Sequence, residues 1–448
     1  MENWYSAVEK YVNENRDNIV DDLKELVRYP SISRAGEDGL PFGIEVDRVL
    51  SAAAELFNKN GIAMQVKHES GYALAVIDGE GDGIGVFGHA DVVPVNDDWV
   101  KTAPFEPIEE NGILYGRGIS DNKAGVISSL YALKALKAAG IDLKSRITVY
   151  VGGSEETGMQ DIASFVKNER MPEINIIPDS DFPVSVGEKG ILRINATSKK
   201  PLCDVTKFEG GKAYNVILDK VEVEVKGGEA FEVSGRTSHA AHPEGSVNAA
   251  YKAAEKLLSM PICENDKEIM AALKTATEGY YGENLDIFST GVFGNITCAN
   301  GIVKIVDGKL FFTLDIRYGN EVNSKKTIEN LTAALDKLGF TVEVNENDEG
   351  FLLDESGKPM EIILRSCREV CGAPDAQPYK TYGGTYARRL KNAFAISHCS
   401  PWDRETLGLP AGHGDVHQSD EALKVDALLD GVKYLALMIA RLDEHLTK

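Results

Sequence analysis

The sequence predicts an α/β protein: a mixed, largely parallel sheet flanked by helices, interrupted by an inserted α+β domain. Three observations carry this expectation. Through residues 1–187, short apolar runs alternate with stretches of helical periodicity. From about Glu188 the pattern changes to strands in which apolar and polar residues alternate. After about Gly350 the first pattern resumes.

Residues 1–28 read as helical. A second helix is expected over residues 45–60, with Gly61 as its stop signal. Residues 72–78 and 83–88 are strand-like. Residues 122–139 have helical periodicity and stop at Gly140. Residues 146–152 and 174–177 are apolar and short enough to be buried strands. This β-α-β order implies parallel pairing, with a ligand site outside the carboxyl ends of the strands. Alternating strands then follow at residues 220–226, 230–234, 302–306 and 309–316, with two helices over residues 246–260 and 324–338. The first pattern returns with residues 359–370. The expected division is a main domain from residues 1–187 and 353–448, with a lid domain over residues 188–352. No low-complexity segment or long linker interrupts it.

Hydrophobic residues make up 43% of the chain and charged residues 26%, values that permit a substantial core. The formal net charge of −22 is the wrong sign for a phosphate backbone, so no nucleic-acid partner is expected. The acidity suits a soluble cytoplasmic protein. The first residues lack the basic start and apolar centre of a signal peptide. No run is apolar enough to span a membrane. Residues 428–442 carry Asp430, Lys433 and Arg441 and read as a packed amphipathic helix. The six cysteines are scattered without a Cys-x-x-Cys pair and are expected to be buried structural thiols, Cys367 and Cys371 facing a core from one helix.

Polar residues close several of the apolar runs. His89 and Asp91 follow residues 83–88. The histidine can bind a metal through one ring nitrogen, while an aspartate two residues on can take the other ring N–H. Asp121 starts a helix, where free N–H groups stabilise a carboxylate. Glu155 and Glu156 follow residues 146–152, and Asp179 follows residues 174–177. His417 comes late in the chain. His89, Asp121, Glu156, Asp179 and His417 supply the donors for two divalent ions sharing a bridging carboxylate. This mixed nitrogen and oxygen set suits zinc, and also manganese or cobalt. Glu155 is left over as a general base that takes the proton of a metal-activated water.

Four motifs in order make the chain resemble the dinuclear-zinc exopeptidases. These include carboxypeptidase G, aminoacylase, carnosinase, succinyl-diaminopimelate desuccinylase and the PepV-type dipeptidases. The motifs are His-Ala-Asp-Val-Val-Pro over residues 89–94, Gly-Arg-Gly-Ile-Ser-Asp-Asn-Lys-Ala-Gly over 116–125, Ser-Glu-Glu-Thr-Gly over 154–158, and His-Gln-Ser-Asp-Glu over 417–421. The resemblance covers essentially the whole chain and implies a zinc-exopeptidase-like fold. It implies that His89 and Asp179 hold one metal, that Glu156 and His417 hold the other, and that Asp121 bridges. It also implies a cis peptide between Asp121 and Asn122. Pro-Asp-Ser-Asp-Phe-Pro over residues 178–183, Gly-Glu-Lys-Gly over 187–190, Gly210-Gly211 before Asn215, and Gly-Gly-Thr-Tyr-Ala-Arg over 383–388 resemble the PepV-type branch.

The segment Gly-Arg-Thr-Ser-His-Ala-Ala-His-Pro over residues 235–243 resembles the family's lid motif. It implies that His239, rather than His242, stabilises the tetrahedral oxyanion. Asn215, Arg317 and Thr385 are the candidates for gripping the substrate backbone or its carboxylate, the arginine through its fork. One departure concerns the segment between Asn215 and His239, where only a strand pair fits and the branch usually carries a longer insert with a helix. The expected activity is a metal-dependent dipeptidase acting on short peptides with a free N-terminus, as a monomer or homodimer. An N-acyl-amino-acid deacylase would use the same metals and base. A non-catalytic binding homologue is the third reading, and the complete ligand set with Glu155 argues against it.

Overall fold

The structure, a computed structural model, describes residues 2–34, 36, 39–228 and 230–448. The chain divides into two compact units, one comprising Met1–Val186, Leu353–Tyr379 and Thr385–Lys448, the other Gly187–Leu352 with Lys380–Gly384.

The first unit opens with α1 (Tyr5–Glu14) and α2 (Arg16–Val27), which bury Tyr5, Val8 and Val12, and Ile19, Leu23 and Leu26, at helical spacing. Next come α3 (Ile44–Lys59), β1 (Met64–Lys67), β2 (Tyr72–Ile77) and β3 (Glu80–His89). A hairpin of β4 (Ile108–Glu110) and β5 (Ile113–Tyr115) precedes α4 (Lys123–Ala138). Then follow β6 (Ser145–Gly152), α5 (Gln160–Asn168), β7 (Ile174–Pro178) and β8 (Val184–Glu188).

The second unit contains β9 (Gly190–Ser198), β10 (Val205–Glu209), β11 (Lys220–Val225), β12 (Phe231–Ser234), α6 (Ala249–Leu258) and α7 (Glu264–Ala276). It continues through β13 (Thr290–Gly291), β14 (Gly294–Asn295), β15 (Thr297–Ala299), β16 (Val303–Val306), β17 (Lys309–Tyr318), α8 (Ser324–Lys337), β18 (Phe340–Asp348) and β19 (Phe351–Leu352). One sheet runs β15-β17-β9-β18 with β16 on β17, and another runs β10-β11-β12. Their pairings are antiparallel, and β11 buries alternate residues, so one face packs and the other does not.

Two sequence expectations need correcting in this unit. It holds a third helix, α7, whose charged first turn (Glu264, Asp266) obscures an apolar stripe of Ile269, Met270, Leu273 and Ala276. The first helix is also shorter than expected. Asn248 caps it by accepting the backbone N–H of Ala250 at 2.8 Å, so the preceding residues stay outside. Between Asn215 and His239 the regular elements are the β11–β12 pair alone, and no helix lies there among the described residues.

The chain returns with α9 (Lys358–Cys371), β20 (Tyr379–Thr381), β21 (Ala393–Ile396), β22 (Ala422–Lys424) and α10 (Val425–Leu446). The sheet of the first unit has the order β1-β2-β6-β3-β7-β21-β8. Strands β6, β3, β7 and β21 are mutually parallel, and the flanking pairings β1–β2, β2–β6 and β21–β8 are antiparallel. Burial explains the parallel centre: β3 is covered continuously from Gly83 to His89, as a strand with helices on both faces must be. Helix α4 is buried from Lys123 to Leu133, and α10 packs on both α4 and α9. No described helix is long and apolar enough to cross a membrane.

The expectation of uniformly buried cysteines is also corrected. Cys298, Cys367 and Cys399 are buried and Cys371 packs at the edge of the main core, but Cys203 is exposed and Cys263 only half-buried. Cys203 sits between strands and Cys263 at a helix cap, where no apolar periodicity governs burial.

Candidate active site

The parallel strands deliver their last residues to one edge of the first unit. His89 is the final residue of β3 and fully buried. Glu155 and Glu156 lie just beyond β6, and Asp179 just beyond β7. His89 Nε2 lies 3.0 Å from Asp121 Oδ1 and 3.5 Å from Asp179 Oδ2. His417 Nε2 lies 2.9 Å from Asp121 Oδ2 and 3.1 Å from Glu156 Oε1. Asp121 thus turns one carboxylate oxygen to each imidazole. His89, Asp121 and Glu156 place one donor atom each within 4.8 Å of one another, and so do His89, Glu155 and Asp179. The peptide between Asp121 and Asn122 is cis.

Close approach at the strand ends needs glycine. A Cβ on Gly152 would lie 1.9 Å from the Tyr386 hydroxyl and 2.3 Å from Asp161 Oδ2. Asp161 accepts the Gly153 and Ser154 N–H groups at 2.8 and 3.1 Å and the Tyr386 hydroxyl. The turn from β6 into Glu155 is therefore tied to a buried carboxylate.

Asp91 does more than the sequence expectation. The His89 Nδ1–H donates to the Asp91 backbone carbonyl at 3.0 Å, and the nearest Asp91 carboxylate oxygen is 3.3 Å away. The carboxylate also accepts the backbone N–H groups of Glu155 and Glu156 at 3.1 and 3.2 Å. Asp91 is fully buried, so it positions both glutamates as well as the imidazole.

Glu421 had no role in the sequence reading. It is fully buried and receives the Arg117 guanidinium at 2.7 Å and the N–H groups of Gly118, Ser120 and Asp121 at 2.9–3.0 Å. These four contacts shape the loop that presents Asp121. The one sequence clue is a buried-looking arginine in a glycine-rich run, which demands a carboxylate from elsewhere. A second unforeseen contact joins the Ser120 hydroxyl to His398 Nε2 at 2.9 Å, and His398 Nδ1 is buried without a partner.

The cluster is crowded with negative charge. Burial, then the Asp179 charge, pushes Glu155 well above the usual carboxylate range. Burial and Asp121 raise Glu156. Burial lifts Asp179 to about 7, with His89 opposing and Asp121 adding to the rise. Burial alone would lower both histidines, but Asp179 and Asp121 hold His89 well above its ordinary value, and Glu156 and Asp121 push His417 up to about 12. Glu155 Oε1 is buried without a hydrogen-bond partner. Two imidazoles, four carboxylates and an orphaned oxygen form a site short of positive charge, which is what divalent cations supply. The donor set suits ions of the zinc, manganese and cobalt type.

The remaining predicted residues divide between the units. Thr385, in the first unit, caps a short turn over Tyr386–Arg389 by accepting the Ala387 N–H at 3.1 Å. Asn215 and His239 lie together in the second unit, with Asn215 Nδ2 3.5 Å from His239 Nε2. The Ala241 N–H donates to His239 Nδ1 at 3.1 Å, so both ring nitrogens face N–H groups. The His242 ring lies 4.9 Å from that of Tyr382, also within this unit. Arg317 is buried on β17, and its fork is engaged by Asp315 through Nε at 2.6 Å and Nη2 at 3.1 Å. Nη1 lies 3.4 Å from the Tyr382 carbonyl. Asp315 thus takes one edge of the guanidinium, and the Nη1–Nη2 edge is the one that could meet a substrate carboxylate.

Ligand-bearing strand ends on a parallel sheet, with a free carboxylate beside them, define a metal-dependent hydrolase. The chain belongs to peptidase family M20/M25/M40, whose profile it matches over residues 85–441. It is 26% identical to a proposed dipeptidase of Staphylococcus haemolyticus, with 88% of this chain and 91% of the relative covered. A proposed dipeptidase of Staphylococcus epidermidis is 27% identical over the same shares. Among solved structures it resembles the dipeptidase Dug1p of Saccharomyces cerevisiae and human carnosine dipeptidase 1. Each has a TM-score of 0.63, at 14% and 16% identity, with 99% of both chains covered. A further neighbour is the M20 metallo-carboxypeptidase Sso-CP2 of Sulfolobus solfataricus, with a TM-score of 0.59, 18% identity, and 95% and 99% covered.

Proposed function

We propose that this protein is a metal-dependent dipeptidase that hydrolyses the peptide bond of short peptides with a free N-terminus. The observation that carries the reading is Asp121 with one oxygen on each of two imidazoles, beside the unpartnered Glu155 carboxylate. The similarity to dipeptidases along nearly the whole chain supports the substrate class.

His89 and Asp179 would hold one divalent ion, Glu156 and His417 the other, and Asp121 both, with zinc preferred and manganese or cobalt competent. Such ions lower the pKa of water and polarise a carbonyl. Glu155 takes the proton of the attacking water at Oε1 and returns it to the leaving nitrogen. Asp91 keeps Glu155 and Glu156 in register by gripping both backbone N–H groups. His239 donates to the developing oxyanion. Asn215 and Thr385 bind the substrate backbone, and the Nη1–Nη2 edge of Arg317 meets its carboxylate. The strong acidity and the six unbridged cysteines support a cytoplasmic enzyme, monomeric or homodimeric.

The test is an assay of the purified protein, with zinc or manganese, on dipeptides, tripeptides and N-acetyl amino acids. Dipeptides with a free amino group are the expected substrates, and a chelator abolishes turnover. Cleavage of N-acetyl amino acids in preference to dipeptides would replace this reading by a deacylase.

A further inference from the structure

Far from the catalytic cluster in sequence, the second unit brings two cysteines together. Cys203 lies between β9 and β10, and Cys263 precedes α7. Their sulfur atoms and an oxygen of Asp266 all lie within 4.8 Å of one another. Both backbones are clamped. Asp266 Oδ1 accepts the Cys203 N–H at 2.9 Å and the Asn265 amide at 3.2 Å. Its Oδ2 accepts the N–H groups of Asp204 and Val205, each at 2.8 Å. In return, Asp204 Oδ2 accepts the Cys263 N–H at 2.7 Å.

This bonding decides the chemistry of the cluster. Four donors occupy the lone-pair positions of the Asp266 carboxylate. It has no capacity left for a cation, and two thiolates alone fall short of the four ligands a structural zinc takes. What remains is a pair of thiols held face to face. One is exposed and the other half-buried, whereas Cys298, Cys367 and Cys399 are buried. Burial pushes the half-buried Cys371 thiol up to about 12. Cys263 is raised too, its contact with the Asp266 backbone being outweighed by desolvation and the Asp266 carboxylate, so Cys203 is the thiol that attacks first.

We propose that Cys203 and Cys263 are a redox-responsive pair that a low-molecular-weight disulfide, such as glutathione disulfide, converts to an intramolecular disulfide. The Cys203 thiolate attacks one sulfur of the oxidant, forming a mixed disulfide and expelling one glutathione thiolate. The Cys263 thiolate then attacks the Cys203 sulfur and expels the second. Two protein thiols are oxidised, one glutathione disulfide is reduced to two glutathione molecules, and the two thiol protons pass to the leaving thiolates. The bridge joins the strand β10 end of the second unit to the start of α7 and constrains the unfolded chain between them.

The experiment incubates the full-length, zinc-loaded protein with glutathione disulfide, counts free thiols, and maps peptides without reduction. Two of the six thiols are expected to disappear, a Cys203–Cys263 linked peptide to appear, and dithiothreitol to reverse both. Melting temperature should rise on oxidation of the wild type and not of Cys203→Ser. Cys263→Ser should stop at one glutathione on Cys203. Retention of all six thiols, or a mixed disulfide that persists in the wild type, would overturn the proposal. So would a Cys203→Ser/Cys263→Ser variant that binds one zinc ion fewer than wild type, because the pair would then be a metal site. Wild-type mapping decides even if a variant misfolds, and none of these outcomes bears on the dipeptidase activity.

Discussion

Glu155 owes its role to what its neighbours do. Asp91 holds its backbone while one of its carboxylate oxygens has no partner. Glu155→Gln should retain both metal ions and lower kcat by about 10²–10⁴, the span typical of general-base loss. Glu156→Ala should instead release metal. Metal analysis beside steady-state kinetics separates the two, and the opposite pattern would exchange their roles. His398 sets a pH dependence of stability. Burial is the main cause that lowers it to about 4, with Arg404 adding to the drop and Asp121 opposing it. The unfolded chain therefore takes up a proton near pH 6.5 that the native state refuses until about pH 4. Stability is complete above pH 6.5 and falls as pH drops through that window, by roughly 2–3 kcal/mol near its lower end. Urea titrations at pH 7 and pH 4.5 should show a smaller acid loss for His398→Gln than for wild type. An equal loss would mean that other groups dominate.

The loop from Arg117 to Asp121 is an element made by a single distant carboxylate. Glu421 binds three of its backbone N–H groups and its one arginine. Glu421→Gln keeps the shape but removes the charge that balances Arg117. Metal affinity should fall about 10–100-fold, as for other outer partners of ligands. Loss of one partner of a buried pair should also cost about 3–5 kcal/mol. Equilibrium dialysis and denaturant unfolding measure the two effects. An unchanged metal affinity would show that Asp121 is held without Glu421.

For the whole molecule, the division into two units separates the base and ligands from His239. Oxyanion stabilisation matters most in the transition state, so His239→Ala should depress kcat more than it changes KM, by about 2.7–4 kcal/mol. Mixing His239→Ala with Glu155→Gln under subunit-exchange conditions tests where the histidine acts. Recovered activity means that one chain serves another. No recovery means that each chain serves itself, and a near-normal kcat for His239→Ala alone rejects the oxyanion role.

How far the residues announced all this depends on the range of the physics involved. Strand β3 is legible because its unbroken apolar run is a local pattern. His89, Glu155 and Asp179 follow because chemistry gathers where parallel strands end. The α7 helix escaped notice because a charged first turn blurs periodicity over so short a span. Arg317 and Asp315 are a local pair, two residues apart on one face of β17, and strand alternation alone makes that contact legible. Glu421 with Arg117, and Cys203 with Cys263, are pairs between remote segments. Local propensity and periodicity act over a few residues and specify strands, helices and their ends. Which distant polar groups meet is settled only when packing removes them from water and leaves each one needing a partner.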